Sequence, residues 1–316
     1  MGPRGCTRSR SRLKPDMRSV RMKDARVSAR APALGLVGAA AHEERGVRRQ
    51  EVRMWIGVGA AVLLAGCSIV PRSFHPIEPL APHDFSHQTF DDLLRAHVAD
   101  GAVDYPGLAS DPRLPAYLQQ LDRIDPNGLP TREDRLVFWI NAYNAFAIKG
   151  ILDGYSPRTL IGRYRYFIGR GYGVGGETIN LYDLEQKLLI PDFREPRIHF
   201  AIVCASRSCP RLRPEAYQTS RLDAQLDDSA RTFINDSGRN RFDRDRKVAV
   251  LSMIFKWFEA DFAAEAGSLL GYVRRYVTDP ELARDLETSS YRVEFLEYDW
   301  QLNGPPPKEM THAGAP

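Results

Sequence analysis

Residues 131–152 read TREDRLVFWINAYNAFAIKGIL, and the helix they encode organises what lies on either side. Thr131 followed three residues later by Asp134 is close to a capping box. Its hydroxyl and carboxylate can satisfy backbone N–H groups that a first helical turn leaves without partners. From Leu136 to Leu152 there is no proline, and Val137, Phe138, Trp139, Ile140, Ala142, Phe146, Ala147, Ile148 and Ile151 point round the whole circumference. A surface helix is apolar along one stripe, so a helix apolar nearly all round is expected to be the buried centre of the domain. Two amides interrupt that surface, Asn141 and Asn144. A buried amide is costly unless it is hydrogen-bonded, so both are expected to hold a partner.

Outward from this helix the periodicity alternates between helix and strand. Phe90 to Val98 and Leu114 to Ile124 have helical spacing, with a short extended piece at Val103-Asp104-Tyr105 between them. On the other side, Tyr164 to Gly176 is rich in Gly and Tyr and reads as a hairpin or a long irregular loop. Leu181 to Leu189 reads as a short helix, Arg197 to Val203 as an apolar strand, and Leu222 to Ile234 as a helix. Lys247 to Leu251 and Arg292 to Leu296 read as strands, with helices at Ile254 to Phe262 and Leu269 to Val277. The expected fold class is α+β: a single mixed domain over residues 85–303, helix-rich, with a small mostly antiparallel sheet around a central buried helix. No linker or repeat divides it.

The net charge of +4 conceals two unlike regions. Residues 1–53 carry 14 Lys/Arg against 5 Asp/Glu and no aromatic residue, while residues 67–316 carry 30 Lys/Arg against 35 Asp/Glu. The part that folds is mildly acidic, so nucleic acid is not an expected partner. The basic part cannot bury enough apolar surface to offset its ordering entropy. It is expected to be a disordered extension, or to be absent because translation starts at Met54, or upstream at Met22 or Met17.

Residues 54–67 have the three parts of an export signal. Arg48, Arg49 and Arg53 precede an apolar run from Trp55 to Leu64, and small residues lead to Cys67. The run is too short to span a bilayer, which takes about 20 apolar residues. Leu64-Ala65-Gly66-Cys67 resembles the lipobox of bacterial lipoproteins, in which the Cys is acylated and becomes the mature N-terminus. Residues 68–84 contain Pro71, Pro76, Pro79 and Pro82 and read as an extended tether. Residues 304–316 read as a disordered tail. The resemblance implies a membrane partner through the lipid anchor and a place in the cell envelope. Ser68 after the Cys points to the outer membrane rather than the inner one in a Gram-negative host.

Four further motifs stand in order: Phe138-Trp139-Ile140-Asn141-Ala142-Tyr143-Asn144-Ala145, the stretch from Pro196 to Pro210 carrying His199, Cys204 and Cys209, Leu251-Ser252-Met253-Ile254-Phe255-Lys256-Trp257-Phe258, and Tyr298-Asp299-Trp300-Gln301-Leu302-Asn303. Together they resemble the domain-of-unknown-function family numbered 547, over about residues 85–303. The resemblance implies identity of fold and, for bacterial members, export; it implies no settled activity. A central helix followed by a strand bearing His is also similar to papain- and transglutaminase-like folds. In those the nucleophilic Cys sits near the start of the helix, where this chain has Asn141.

With Cys67 lipidated, Cys204 and Cys209 are the remaining thiols of the mature chain, and His199 is the one His between His97 and His312. Three readings follow. An exported, even pair of Cys favours a disulfide. A thiolate activated by His199, with Asn141 orienting it or donating to an oxyanion, would give a thiol-dependent hydrolase or transferase. A metal site has only three ligands here and is the least supported. No cofactor is expected, since no Gly-rich phosphate loop leads from a strand into a helix. The expected function is a membrane-tethered envelope lipoprotein that binds an envelope ligand or protein at a cleft where His199, Asn141, Cys204 and Cys209 converge, with the thiol enzyme as the alternative.

Overall fold

The computed structural model describes residues 78–307. The basic extension (1–53), the signal segment with Cys67 (54–67), most of the tether and residues 308–316 lie outside the described residues.

The central helix, Arg132–Leu152, begins with the full capping box: Thr131 Oγ1 accepts from the Asp134 N–H at 3.0 Å, and the Asp134 carboxylate accepts from the Thr131 N–H at 3.2 Å. From Leu136 to Ile148 no residue is exposed. Each large apolar side chain there contributes about 1.5–3 kcal/mol by leaving water. Helices Gln88–His97, Tyr105–Ala109 and Arg113–Arg123 pack about it and about each other. Residues 78–84, the end of the Pro-rich stretch, are docked against this layer, with the Leu80 N–H donating to the Arg123 carbonyl at 2.8 Å.

The buried apolar residues of 160–226, apart from Phe200, join the same cluster as the central helix, while Phe200 and those of 230–298 form a second apolar cluster around Phe200, Phe233, Phe255, Phe262 and Tyr272. Helices Leu222–Ile234, Met253–Trp257, Glu259–Ala266, Leu269–Tyr276 and Pro280–Thr288 enclose it. Its sheet has Val248–Leu251 in the middle, antiparallel to Arg241–Asp243 and parallel to Arg292–Phe295. The parallel pair is possible because four helices and their connections intervene between the two strands, as a parallel crossover requires. Two antiparallel hairpins, Val98–Ala99 with Ala102–Val103 and Tyr172–Val174 with Glu177–Ile179, complete the strands among the described residues. The domain is thus α+β and helix-rich with small, mostly antiparallel sheets.

Two local expectations need correction. Arg197 to Val203 is not a strand: Pro196–Phe200 is a 3-10 turn, and the chain turns again before Val203. Glu195 caps the turn by accepting from the Arg197 N–H at 3.1 Å, and Asn144 takes the Ala201 carbonyl and the Val203 N–H that a strand would pair. The run is apolar because it passes between the two clusters, Ile198 entering one and Phe200 the other; burial on both sides makes any backbone shape read like a buried strand. The strand-borne His on which the papain-like comparison rested is therefore absent. Second, Tyr164 to Gly176 is not all loop, since Leu160–Phe167 is a helix capped by Thr159, with the hairpin following. Pro280–Thr288, to which the sequence reading assigned no element, is a helix capped by Asp279. The three-stranded sheet also lies in the second cluster rather than around the central helix.

Candidate functional site

His199 sits at the seam of the two clusters, 3% exposed. Its ring stacks on Phe258 with centroids 3.9 Å apart and meets Phe262 edge-on at 5.4 Å. Nε2 lies 2.8 Å from the Asp261 carboxylate, and Nδ1 has no partner within the protein. Burial lowers the imidazole pKa, against the pull of Asp261. The neutral ring that results places its hydrogen on Nε2, facing the carboxylate, and leaves Nδ1 with a free lone pair.

His199 lines a cavity of about 70 Å³ with Tyr143, Glu185, Cys204, Cys209, Trp257, Tyr298 and Trp300 among its walls. They come from several separate parts of the chain. Tyr143 stands on the central helix. Glu185 stands on a π-helical turn, Leu184–Leu189, a feature that recurs at functional sites because it displaces a side chain from the regular helical surface. Trp257 ends the helix Met253–Trp257. Tyr298 and Trp300 are carried in by a pairing of loops: the Arg207 N–H donates to the Gln301 carbonyl at 2.8 Å and the Asn303 N–H to the Ala205 carbonyl at 3.1 Å. Trp257, Tyr298 and Trp300 then form one aromatic group, with centroids 4.5–6.0 Å apart. Arg163 lies over Trp300 at 4.4 Å.

The walls are apolar except at a few atoms. The Trp257 indole Nε1 is buried and, like His199 Nδ1, has no partner within the protein. Glu185 accepts from the Tyr143 hydroxyl at 3.3 Å, and burial pushes its carboxyl up to about 7. The residues around one small space thus hold an unpartnered donor, an unpartnered acceptor and a carboxyl that changes protonation near neutrality.

The raised Glu185 pKa predicts how stability depends on pH. Below about 4.5, the ordinary glutamate value, folded and unfolded chains both hold the proton and burial is without penalty. Between there and about 7 only the folded chain holds it, so this group's contribution turns against folding as pH rises, and above 7 the folded chain carries a half-buried charge. Glu185→Gln should leave the melting temperature near wild type at about pH 5 and raise it by about 5 °C at about pH 8. Half-buried His87 and buried His199 act in the opposite sense as pH falls, so the difference between variant and wild type is the quantity to measure by thermal circular dichroism. An equal effect at both pH values would remove Glu185 from the titrating groups.

Of the residues expected to converge, His199, Cys204 and Cys209 line this cavity and Asn141 does not. Asn141 instead bonds both polar atoms of the Tyr217 backbone, donating to the carbonyl and accepting from the N–H at 2.9 Å each. Asn144 does the same for the site's own segment, donating to the Ala201 carbonyl at 3.0 Å and accepting from the Val203 N–H at 2.9 Å. Cys204 and Cys209 form a disulfide, with Cα atoms 6.1 Å apart. A nucleophilic role for either sulfur with His199 requires that bridge to be opened first. Among the described residues no group of three or more His, Cys, Asp or Glu side chains is placed to hold a metal ion. Asp261, Glu185 and Trp257 escaped sequence reasoning. Glu185 and Asp261 carry no local signal, being one acid among many, and Trp257 and Tyr298 stood in motifs with no chemistry attached.

No curated protein and no solved structure matches the chain. A family model does match, over a span that holds the central helix, Glu185, His199 and both bridged Cys, and that stops short of Trp257, Asp261 and Tyr298. Residues 126–234 of this chain match the family described as protein of unknown function, DUF547.

Proposed function

We propose that the protein is a lipid-anchored envelope domain that binds a small group of a ligand or partner in the aromatic cavity beside the Cys204–Cys209 bridge. The observation that carries this reading is that two residues lining the cavity, Trp257 and His199, each hold a buried polar atom, Nε1 and Nδ1, with no partner within the protein. Buried polar atoms without partners are rare and call for an explanation, and a ligand amide or hydroxyl would satisfy one donor and one acceptor at once. The apolar remainder of the wall suits an aliphatic or aromatic body. At about 70 Å³ the space takes an end group rather than a whole molecule, so the rest of the ligand would lie outside.

The alternative, a thiol-dependent hydrolase or transferase using Cys204 or Cys209 with His199, needs a reduced bridge in the working state. Alkylation of the folded protein without reductant separates the two, since an intact bridge takes up no label.

Isobutyramide, with an apolar body and an amide that both donates and accepts, is a suitable probe of the cavity. Titration should shift the indole N–H resonance of Trp257 saturably, with a dissociation constant of roughly 1 mM for so few atoms. Trp257→Phe should weaken the binding about tenfold by removing the unpartnered indole donor. A linear, unsaturable drift of all Trp signals alike would count against a binding cavity.

A further inference from the structure

The Cys204–Cys209 bridge lies in the cavity wall, with Cys209 buried and Cys204 partly exposed. It spans a sequence separation of 5, so it closes a very small loop and removes little entropy from the unfolded chain. As a staple it stands at the low end of what disulfides contribute. Its surroundings are those a thiolate would use. The Cys204 N–H donates to Cys209 Sγ at 2.9 Å. The Tyr298 hydroxyl lies 3.3 Å from each sulfur. The Ser206 hydroxyl donates to the Tyr298 oxygen at 3.1 Å and is itself 3.3 Å from Cys204 Sγ. With Ser206 donating to the phenol oxygen, the Tyr298 proton is free to be donated to a sulfur. A disulfide sulfur is a weak acceptor that needs no such donors, whereas a thiolate is strongly stabilised by them. Ala205, next to Cys204, is held at φ +61°, a left-handed conformation that residues with a Cβ avoid and that collects at functional sites.

We propose that Cys204–Cys209 is a redox-active disulfide that exchanges with the thiols of a partner, Cys204 being attacked and Cys209 leaving. A partner thiolate attacks Cys204 Sγ, the sulfur of the less buried residue. A new sulfur–sulfur bond forms there as the Cys204–Cys209 bond breaks, and the electron pair departs on Cys209 Sγ, where the Cys204 N–H and the Tyr298 hydroxyl receive it. A second partner thiolate then attacks the partner's sulfur in the mixed disulfide, and Cys204 leaves as a thiolate. The partner's two thiols are oxidised to one disulfide by two electrons, and the Cys204–Cys209 pair is reduced by the same two, taking up protons from solvent. Exchange with a second, more oxidising disulfide reverses the steps and restores the bridge. This chemistry stands whether or not the cavity also takes a ligand of its own.

The test uses the full chain with Cys6 and Cys67 replaced by serine, so that only the pair reports. The folded protein is equilibrated at neutral pH with mixtures of reduced and oxidised dithiothreitol, quenched, alkylated and weighed by mass spectrometry. The bridge is expected to open fully while the near-ultraviolet dichroism stays native. Cys209→Ser, given oxidised glutathione, is expected to gain one glutathione at Cys204, at least about tenfold faster than Cys204→Ser gains one at Cys209, as their burial requires. Tyr298→Phe should move the equilibrium about tenfold toward the disulfide, and Ser206→Ala in the same direction by less, since each removes support from a thiolate. If Tyr298→Phe fails to fold, Ser206→Ala decides. A bridge that opens only when the protein is unfolded by denaturant, a Cys209→Ser protein that takes up no glutathione, or an equilibrium unmoved in the folded variants would each overturn the proposal.

Discussion

Cys67→Ser should move the protein from the membrane fraction to the aqueous fraction almost completely. The expectation rests on Leu64-Ala65-Gly66-Cys67, on the Arg residues ahead of the apolar run and on the Pro-rich stretch behind it. Each buried CH₂ of an acyl chain contributes about 0.8 kcal/mol, and one chain alone holds a protein only reversibly; several chains on one residue hold it stably. Removing the acceptor thiol removes all of them together, so the effect is nearly all-or-none rather than graded. Among the described residues no helix is long and apolar enough to cross a membrane, which is compatible with a lipid anchor. Flotation of wild type and variant through a density gradient makes the comparison. A variant that floats with the membranes at the wild-type level would end the lipoprotein reading. Peptides from residues 1–53 in the mass spectrum of the mature protein would end it independently, because cleavage before Cys67 removes them.

The parts of the fold legible in the sequence were those that local physics determines. The capping box at Thr131 and Asp134, the apolar circumference of Leu136–Ile148 and the apolar stripe of Leu222–Ile234 are each complete within a few turns of chain. The segment around His199 was not legible, because its shape is imposed from 55 or more residues away by Asn144, which claims the backbone atoms a strand would have paired. The site divides along the same line. Cys204, Cys209 and His199 were visible as reactive types close together in sequence, and an exported pair of Cys made a bridge one of the open readings. Glu185, Trp257 and Asp261 became visible only when the fold brought them to the same wall or the same ring. Asn141 was assigned to the cleft because it is an amide on an apolar helix, yet Asn144, one helical turn closer to the site's segment, makes the contact. Composition shows that a buried amide must have a partner; it does not show which strand, turn or loop supplies it.

Asn144→Ala should accordingly be among the most damaging single changes in the domain. It deletes two buried hydrogen bonds and leaves the Ala201 carbonyl and the Val203 N–H without partners. Each abandoned group costs about 1–3 kcal/mol, so the loss should be about 3–5 kcal/mol, or about 8–15 °C in melting temperature for a domain of this size. Asn144→Asp distinguishes lost hydrogen bonds from lost volume. Its carboxylate can still accept from the Val203 N–H but faces the Ala201 carbonyl with no proton to donate, and a buried charge is costly. Lowering the pH protonates it and restores a donor, so Asn144→Asp should recover stability relative to wild type as pH falls, while Asn144→Ala should not. Asn141→Ala should destabilise by a similar amount, because Tyr217 loses the same two bonds. The two amides should differ in what they disturb. Asn144 holds the turn that runs into Cys204, so its loss should change the equilibrium between bridge and thiols; Asn141 holds a loop outside the cavity, so its loss should leave that equilibrium at the wild-type value. If both variants shifted the bridge equally, Asn141 would have to be returned to the site. If neither lost more than about 1 kcal/mol, the amides would be dispensable and the turn would be held by packing alone.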